Sequence, residues 1–183
     1  MLDKFIEIIH TPRLILREWR DEDLEPFAKI NQDSLVMEHF PSTLSFLETK
    51  NLIGNIQDHF AKYGFGLFAV EVKESSEFIG FIGFKVPDFK TNFTPCVEIG
   101  WRLSSNHWGS GYATEGALAC LQHGFQKLNF KEILSWTIPA NTKSIRVMEK
   151  IGMKLDFDGD FFHPKISRDH KLSRHGLYRI KAA

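Results

Sequence analysis

The alternation of apolar and polar positions divides this chain of 183 residues into segments of two different periods. RLILR (Arg13–Arg17) alternates every second residue, as a strand with one buried face does. In RDEDLEPFAKI the period changes. Leu24, Phe27 and Ile30 fall on one helical stripe, acids crowd the first turn, and Asp21 is placed to cap it. A second helix is predicted over Glu48–Tyr63, where Leu52, Ile56 and Phe60 recur every four residues. The connection between these helices includes HFPSTLS and reads as a surface loop of the kind that carries specificity. From Gly66 to Val86 the period returns to two. LFAVEV, a turn at Ser75 and Ser76, and FIGFIGFKV predict a β-hairpin. A further strand, CVEIGWRL (Cys96–Leu103), leads through NHWGSGYA into a helix over Ala113–Asn129. Its apolar face is Ala117, Leu121, Phe125 and Leu128. The strand KEILSWTI and a helix over Thr142–Ile151 follow, with Gly152 as its left-handed terminator. DFDGDFFHP is assigned no element, and HGLYRIK predicts the last strand. Antiparallel strands followed by strand–helix–strand–helix spell a mixed α/β sheet.

No internal repeat or low-complexity linker divides the chain, so a single domain over residues 1–183 is expected. Seventeen phenylalanines point to an aromatic core. Lys+Arg and Asp+Glu both number 23, and this balance argues against a generic binder of nucleic acid or anionic membranes. Cys96 and Cys120 lie in no CxxC pair and no zinc-type array, which suggests two reduced, buried thiols. His163, His170 and His175 have no spacing that favours a metal, and packing or acceptor recognition suits them better. The segment MLDKFIEIIHTPR lacks signal-peptide features, and no apolar run reaches the roughly 18 residues of a membrane span. The expectation is a cytoplasmic protein, monomer or homodimer, without metal, membrane or nucleic-acid partner.

One strand–turn–helix unit carries candidate chemistry: CVEIGWRL followed by SSNHWGSGYATEGALACL. A glycine-bearing turn into a helix presents backbone N–H groups and the positive end of a helix dipole to an anion. Gly109 and Gly111 would let a pyrophosphate approach the backbone closely, and Ala113 keeps the start of the helix small. An ordinary turn explains the same residues. Neither GxxxxGK[ST] nor an N-terminal GxGxxG is present, which weighs against ATP or a dinucleotide.

WGSGYATEGAL resembles the acetyl-CoA loop of the GNAT acetyltransferases, particularly the RimJ/RimL-like group. Trp108, Gly111 and Ala113 fill the positions of the superfamily pattern [RQ]-x-x-G-x-[GA]. PANTKSIRVMEKIGM resembles the family's N-x-x-S-x-x-V-x-E-K-x-G-F segment, with Met153 in place of Phe. TPRLILREWRDEDLEPF resembles its N-terminal opening, and HPKISRDHKLSRHGLYRI resembles a C-terminal ending seen in some members. The resemblance spans the chain. It implies a single-domain GNAT fold: a mostly antiparallel sheet, splayed at the cofactor site and flanked by helices. It also implies acetyl transfer from acetyl-CoA to a primary amine. The amides of Gly109, Ser110, Gly111, Tyr112, Ala113 and Thr114 would hold the pyrophosphate, with Trp108 beside them. The main chain of Trp101, Arg102 and Leu103 would pair with pantetheine as an added strand. Asn141 would contact pantetheine or the acceptor, and Ser144 would lie near the sulfur. From the residues alone, Asn141 is equally a helix N-cap and Ser144 a helix-surface serine. Lys143 and Arg146 suit either a CoA phosphate or a solvated face.

Acyl transfer to an amine needs a neutral nucleophile, a donor for the oxyanion and a proton for the departing thiolate. Glu98, a carboxylate inside the apolar run CVEIGW, is either paired structurally or functional. The resemblance implies a general base, often acting through water, and partial burial would raise its pKa toward neutrality to suit that task. Many relatives use a tyrosine acid four residues before the final glycine of the second segment. Met148 stands there, so Ser144, with or without water, becomes the candidate acid. Acceptors compatible with the pattern are peptide or protein N-termini and small-molecule amines such as polyamines, amino acids and aminoglycosides. A non-catalytic acyl-CoA-binding module is the reading of a different class.

Overall fold

The computed structural model describes residues 7–182 as eight strands and four α-helices around one sheet. The strands are β1 (Ile9–His10), β2 (Leu14–Arg17), β3 (Leu67–Val72), β4 (Glu77–Lys85), β5 (Glu98–Leu103), β6 (Glu132–Thr137), β7 (Lys154–Phe162) and β8 (Arg174–Lys181). The helices are α1 (Leu24–Gln32), α2 (Phe46–Tyr63), α3 (Tyr112–Gln126) and α4 (Thr142–Lys150). The sheet order is β1-β2-β3-β4-β5-β6-β8-β7, and every pairing is antiparallel except β5 with β6. This is the expected α/β architecture.

Several boundaries moved for identifiable reasons. Helix α2 begins two residues before the predicted start, because Ser45 and Glu48 form a reciprocal capping box there. Asp21 does not cap the first helix. Asp23 instead accepts the Arg20 N–H at 2.8 Å and two bonds from the Arg17 guanidinium. Arg17 also donates to Glu71, so a buried ion network joins β2, β3 and the start of α1. The strand predicted from Cys96 begins at Glu98, and α3 ends at Gln126, before Asn129 turns left-handed. Cys120 is buried as expected, whereas Cys96 is only half-buried. Strand β1 is too short for alternation to reveal. In β7 the ladder with β8 is broken between Asp156 and Phe161, which removed the period-two signal from DFDGDFF.

Strand β4 sets the two faces that matter. Ile79 is an extra residue opposite β3, where Val70 pairs with Gly80 but Glu71 pairs with Phe78. This bulge turns both Phe78 and Phe81 toward Phe27 of α1, with ring centroids 6.0 and 5.9 Å apart. Gly80 has φ +129, and a Cβ there would lie 2.1 Å from the Arg102 carbonyl, so only glycine fits. Ile82, on the opposite face, meets Gly116 of α3 so closely that a Cβ on Gly116 would lie 2.4 Å from it.

Candidate active site

Strand β5 pairs with β4 along its whole length but with β6 only at Glu98 opposite Leu134. The two parallel strands then diverge, and a cleft of about 610 Å³ opens between them. The Val97 carbonyl accepts the Leu134 N–H at 2.9 Å, so odd-numbered residues of β5 turn their peptide groups toward β6. Beyond the split, Trp101 therefore offers its N–H and C=O to the cleft as an unpaired sheet edge. The Leu103 carbonyl is occupied, accepting the Trp108 indole N–H at 3.0 Å. The Arg102 peptide faces β4, as its carbonyl beside Gly80 shows. Of the three residues expected to pair with an added strand, Trp101 is thus the one with both peptide groups free, a consequence of strand alternation.

At the far end of the cleft, Gly109 and Gly111 have φ +79 and +82, a conformation that glycine adopts without strain. Among the described residues, apart from its chain neighbours, no atom lies within 4 Å of a Cβ built on Gly109. Helix α3 starts directly after Gly111 with no side-chain cap, leaving its first amides open. Arg13 fixes this turn from behind. It bonds to Glu115, donates to the Ser110 carbonyl at 2.9 Å, and stacks over the Tyr112 ring. Ser110 therefore faces away from the cleft wall to which Gly109, Gly111, Tyr112, Ala113 and Thr114 belong. Opposite, α4 contributes Asn141, Lys143, Ser144 and Arg146. Lys143 lies 4.0 Å above the Trp108 ring, joining α4 to the turn. Asn141 caps α4 through the Ser144 N–H and donates to Thr137, while the Ser144 hydroxyl has no hydrogen bond among the described residues. Met148 is fully buried beneath α4, away from the cleft.

Glu98 lies at the point where the strands part. It is 9% exposed, and burial pushes its pKa up, opposed by nearby Lys85. Lys85 Nζ lies 3.2 Å from Oε2, close enough for charge pairing, and that oxygen is shut off from solvent. On the same side, His163 and His175 have ring centroids 5.3 Å apart and form part of the wall near Trp136. Burial, and then its histidine neighbour, lower His163 to about 4, while burial lowers His175. Both rings are therefore neutral near pH 7. His170 lies in an exposed turn outside the wall. Sequence reasoning missed Arg13, Lys85 and the Arg102 side chain, because each acts through a partner distant in the chain.

A splayed parallel strand pair, an uncapped helix behind two left-handed glycines, and a buried carboxylate at the split define an acyl-CoA-dependent transferase. Residues 13–154 match the acetyltransferase (GNAT) domain family, and the chain belongs to that family of N-acetyltransferases. Among its relatives, YkkB of Bacillus subtilis is 37% identical over 144 residues, 78% of this chain and 83% of that protein. YnaD of the same organism, an uncharacterized N-acetyltransferase, is 33% identical over 80% of this chain and 82% of its own length. A GNAT-family acetyltransferase from Bacillus anthracis superposes with a TM-score of 0.78 at 28% identity, covering 96% of this chain and 98% of that one. The ribosomal L7/L12 α-N-protein acetyltransferase RimL, solved with coenzyme A, shares the fold at 15% identity, with a TM-score of 0.76 and coverage of 96% and 98%.

Proposed function

We propose that this enzyme acetylates the α-amino group of a peptide or protein N-terminus, using acetyl-CoA in a ternary complex. The observation that carries the reaction is Glu98, a buried carboxylate lining the cleft where the strands part. In this reading the amides of Gly109 and Gly111–Thr114 hold the pyrophosphate, while Lys143 and Arg146 face the phosphates. Trp101 pairs with pantetheine, and Asn141 keeps its capping role while its amide edge faces the ligand. Glu98 takes a proton from the attacking amine through water as nitrogen bonds to the thioester carbon. The Ser144 hydroxyl, free of protein partners, returns a proton to the thiolate as the C–S bond breaks. His163 and His175, neutral and partly enclosed, line the acceptor side together with the loop around His39–Ser45.

Two arguments support an α-amine over a lysine side chain. The sequence resembles the RimJ/RimL-like group most, and RimL is an α-N-protein acetyltransferase by name. Chemistry agrees: with pKa values of about 7.7–8.0 and about 10.4, roughly two orders of magnitude more α-amine than lysine amine is neutral at pH 7. Polycationic acceptors such as polyamines are opposed by the cleft itself, where six Lys and Arg residues face only Glu38 and Glu98. The test compares peptides with free or blocked N-termini, each with and without an internal lysine. Free N-termini are expected to react at least about tenfold faster. Equal rates for blocked, lysine-containing peptides would refute the assignment. Coenzyme binding without turnover on any amine would instead favour the non-catalytic module.

The cradle has its own test. Gly111→Trp should abolish measurable coenzyme binding in calorimetry. Because φ is +82 there, the variant also loses about 1–2 kcal/mol of stability, and its fold must be checked by circular dichroism. A folded variant with unchanged affinity would remove the phosphate assignment.

A further inference from the structure

Arg102 belongs to β5 four residues after Glu98, on the same face of the sheet. Its side chain extends toward α1, on the side of the sheet opposite α3. The guanidinium lies between the rings of Phe40 and Phe81, at 4.3 and 5.5 Å from their centroids. Its Nη1 donates to the side-chain oxygen Oδ1 of Asn31 at 2.8 Å. Asn31 is itself fully buried and oriented by a 3.1 Å bond from its amide to Thr49 of α2. The remaining donors are not used by the protein. Nε is shut off from solvent without a partner, and Nη2 makes no hydrogen bond among the described residues. Among the described residues no carboxylate pairs with this cation. Asp33 is engaged by Ser105 and the Leu35 N–H, and Glu38 lies nearest His39. Burial alone pushes the Arg102 pKa down, to about 10, so the group stays charged at neutral pH.

A half-buried guanidinium without a counter-charge is costly, and a fold that orients it with a buried Asn–Thr pair places it for an anion from outside. Its Nη2 donors, beside the second Nη1 hydrogen, suit a carboxylate. We infer that the acceptor carries a carboxylate, and that Arg102, clamped by Phe40, Phe81 and Asn31, binds this group while the amine faces Glu98. This deepens the acetyltransferase reading and rests on it. Glu98 and Arg102 are separated along the strand by roughly 13 Å. An extended peptide covers that distance in about four residues. The carboxylate therefore comes either from the C-terminus of a short peptide or from an acidic side chain near a protein N-terminus.

The experiment uses the full chain loaded with coenzyme A for binding and with acetyl-CoA for turnover. One arm compares alanine peptides of two to four residues as free acids and as C-terminal amides. The other compares amidated hexapeptides carrying Asp or Asn at the second, third or fourth position. The carboxylate member of at least one pair is expected to bind roughly ten- to a hundredfold more tightly, with the gain in KM rather than kcat. Which arm responds identifies the source. Arg102→Gln should erase the preference, Arg102→Lys should retain part of it, and coenzyme affinity should not change in either. Asn31→Ala, which leaves the charge in place, should weaken the preference without erasing it. Equal binding of acids and amides, a preference that survives in Arg102→Gln, or loss of coenzyme affinity in that variant would each overturn the assignment. An Arg102-dependent preference in binding, with no acetyl transfer to any member, would leave the anion site standing and refute the α-amine reaction instead.

Discussion

Replacing Glu98 by glutamine is expected to lower turnover at pH 7 by about 10²–10⁴-fold, with coenzyme affinity nearly unchanged. The carboxylate acts as a base only after losing its proton, and burial has raised the pH at which it does so. The wild-type rate should therefore fall on the acid side through a limb lying above the ordinary carboxylate range. In Glu98→Gln that limb disappears, and the remaining rise with pH reports deprotonation of the free amine. Stability moves the other way. A carboxyl group whose pKa is raised on folding binds its proton more tightly in the folded chain, so its ionisation disfavours the fold as pH increases. Glu98→Gln should accordingly melt no lower than the wild type at pH 8, where a purely structural glutamate would leave the variant weaker. A wild-type pH–rate profile in the variant would remove Glu98 from the chemistry.

The largest expected loss of stability comes from Asp23→Ala. The side chains of Asp23 and Arg17 are 1% and 5% exposed, and the aspartate also holds the Arg20 N–H where α1 begins. Truncating it leaves a buried guanidinium with Glu71 as its counter-charge and a bond to the Glu18 carbonyl, a change that typically costs about 3–5 kcal/mol. Urea denaturation should show this as a lower midpoint with the slope unchanged. A loss below about 1 kcal/mol would mean that water or a rearranged Glu71 replaces the lost carboxylate. The variant also reports on the acceptor side, since α1 carries Asn31 near its other end.

Periodicity and helix-end signals in the sequence were enough to locate both hairpin strands, the four helix cores and the strand that carries Glu98. Those segments pack one face against a large core, and packing of that kind enforces a period. Strand β7 was illegible because its broken register places Asp158 and Asp160 in an exposed run with no alternation. Asp21 was read as the cap because local rules count side-chain oxygens near a helix start. They do not see that Arg17, six residues back, would claim Asp23. At the site, the glycine turn and Glu98 were legible because their chemistry depends on local backbone and on an apolar neighbourhood. The role of Arg102 was not, since it arises from Asn31, Phe40 and Phe81, which only the fold brings together.

The position of β8 between β6 and β7 bears on how the protein is made. Among the described residues, β6 and β7 have no contact as neighbouring strands, and each finds its partner in β8. A nascent chain exposed only as far as β7 can already hold β1–β5 and α3 against one another. One wall of the cleft, carrying Trp136, His163 and His175, must wait until Arg174–Lys181 has emerged from the ribosome and threaded between two strands already present. Ribosome-bound chains arrested before β8 should therefore contain a protease-resistant N-terminal portion and no competence to bind coenzyme.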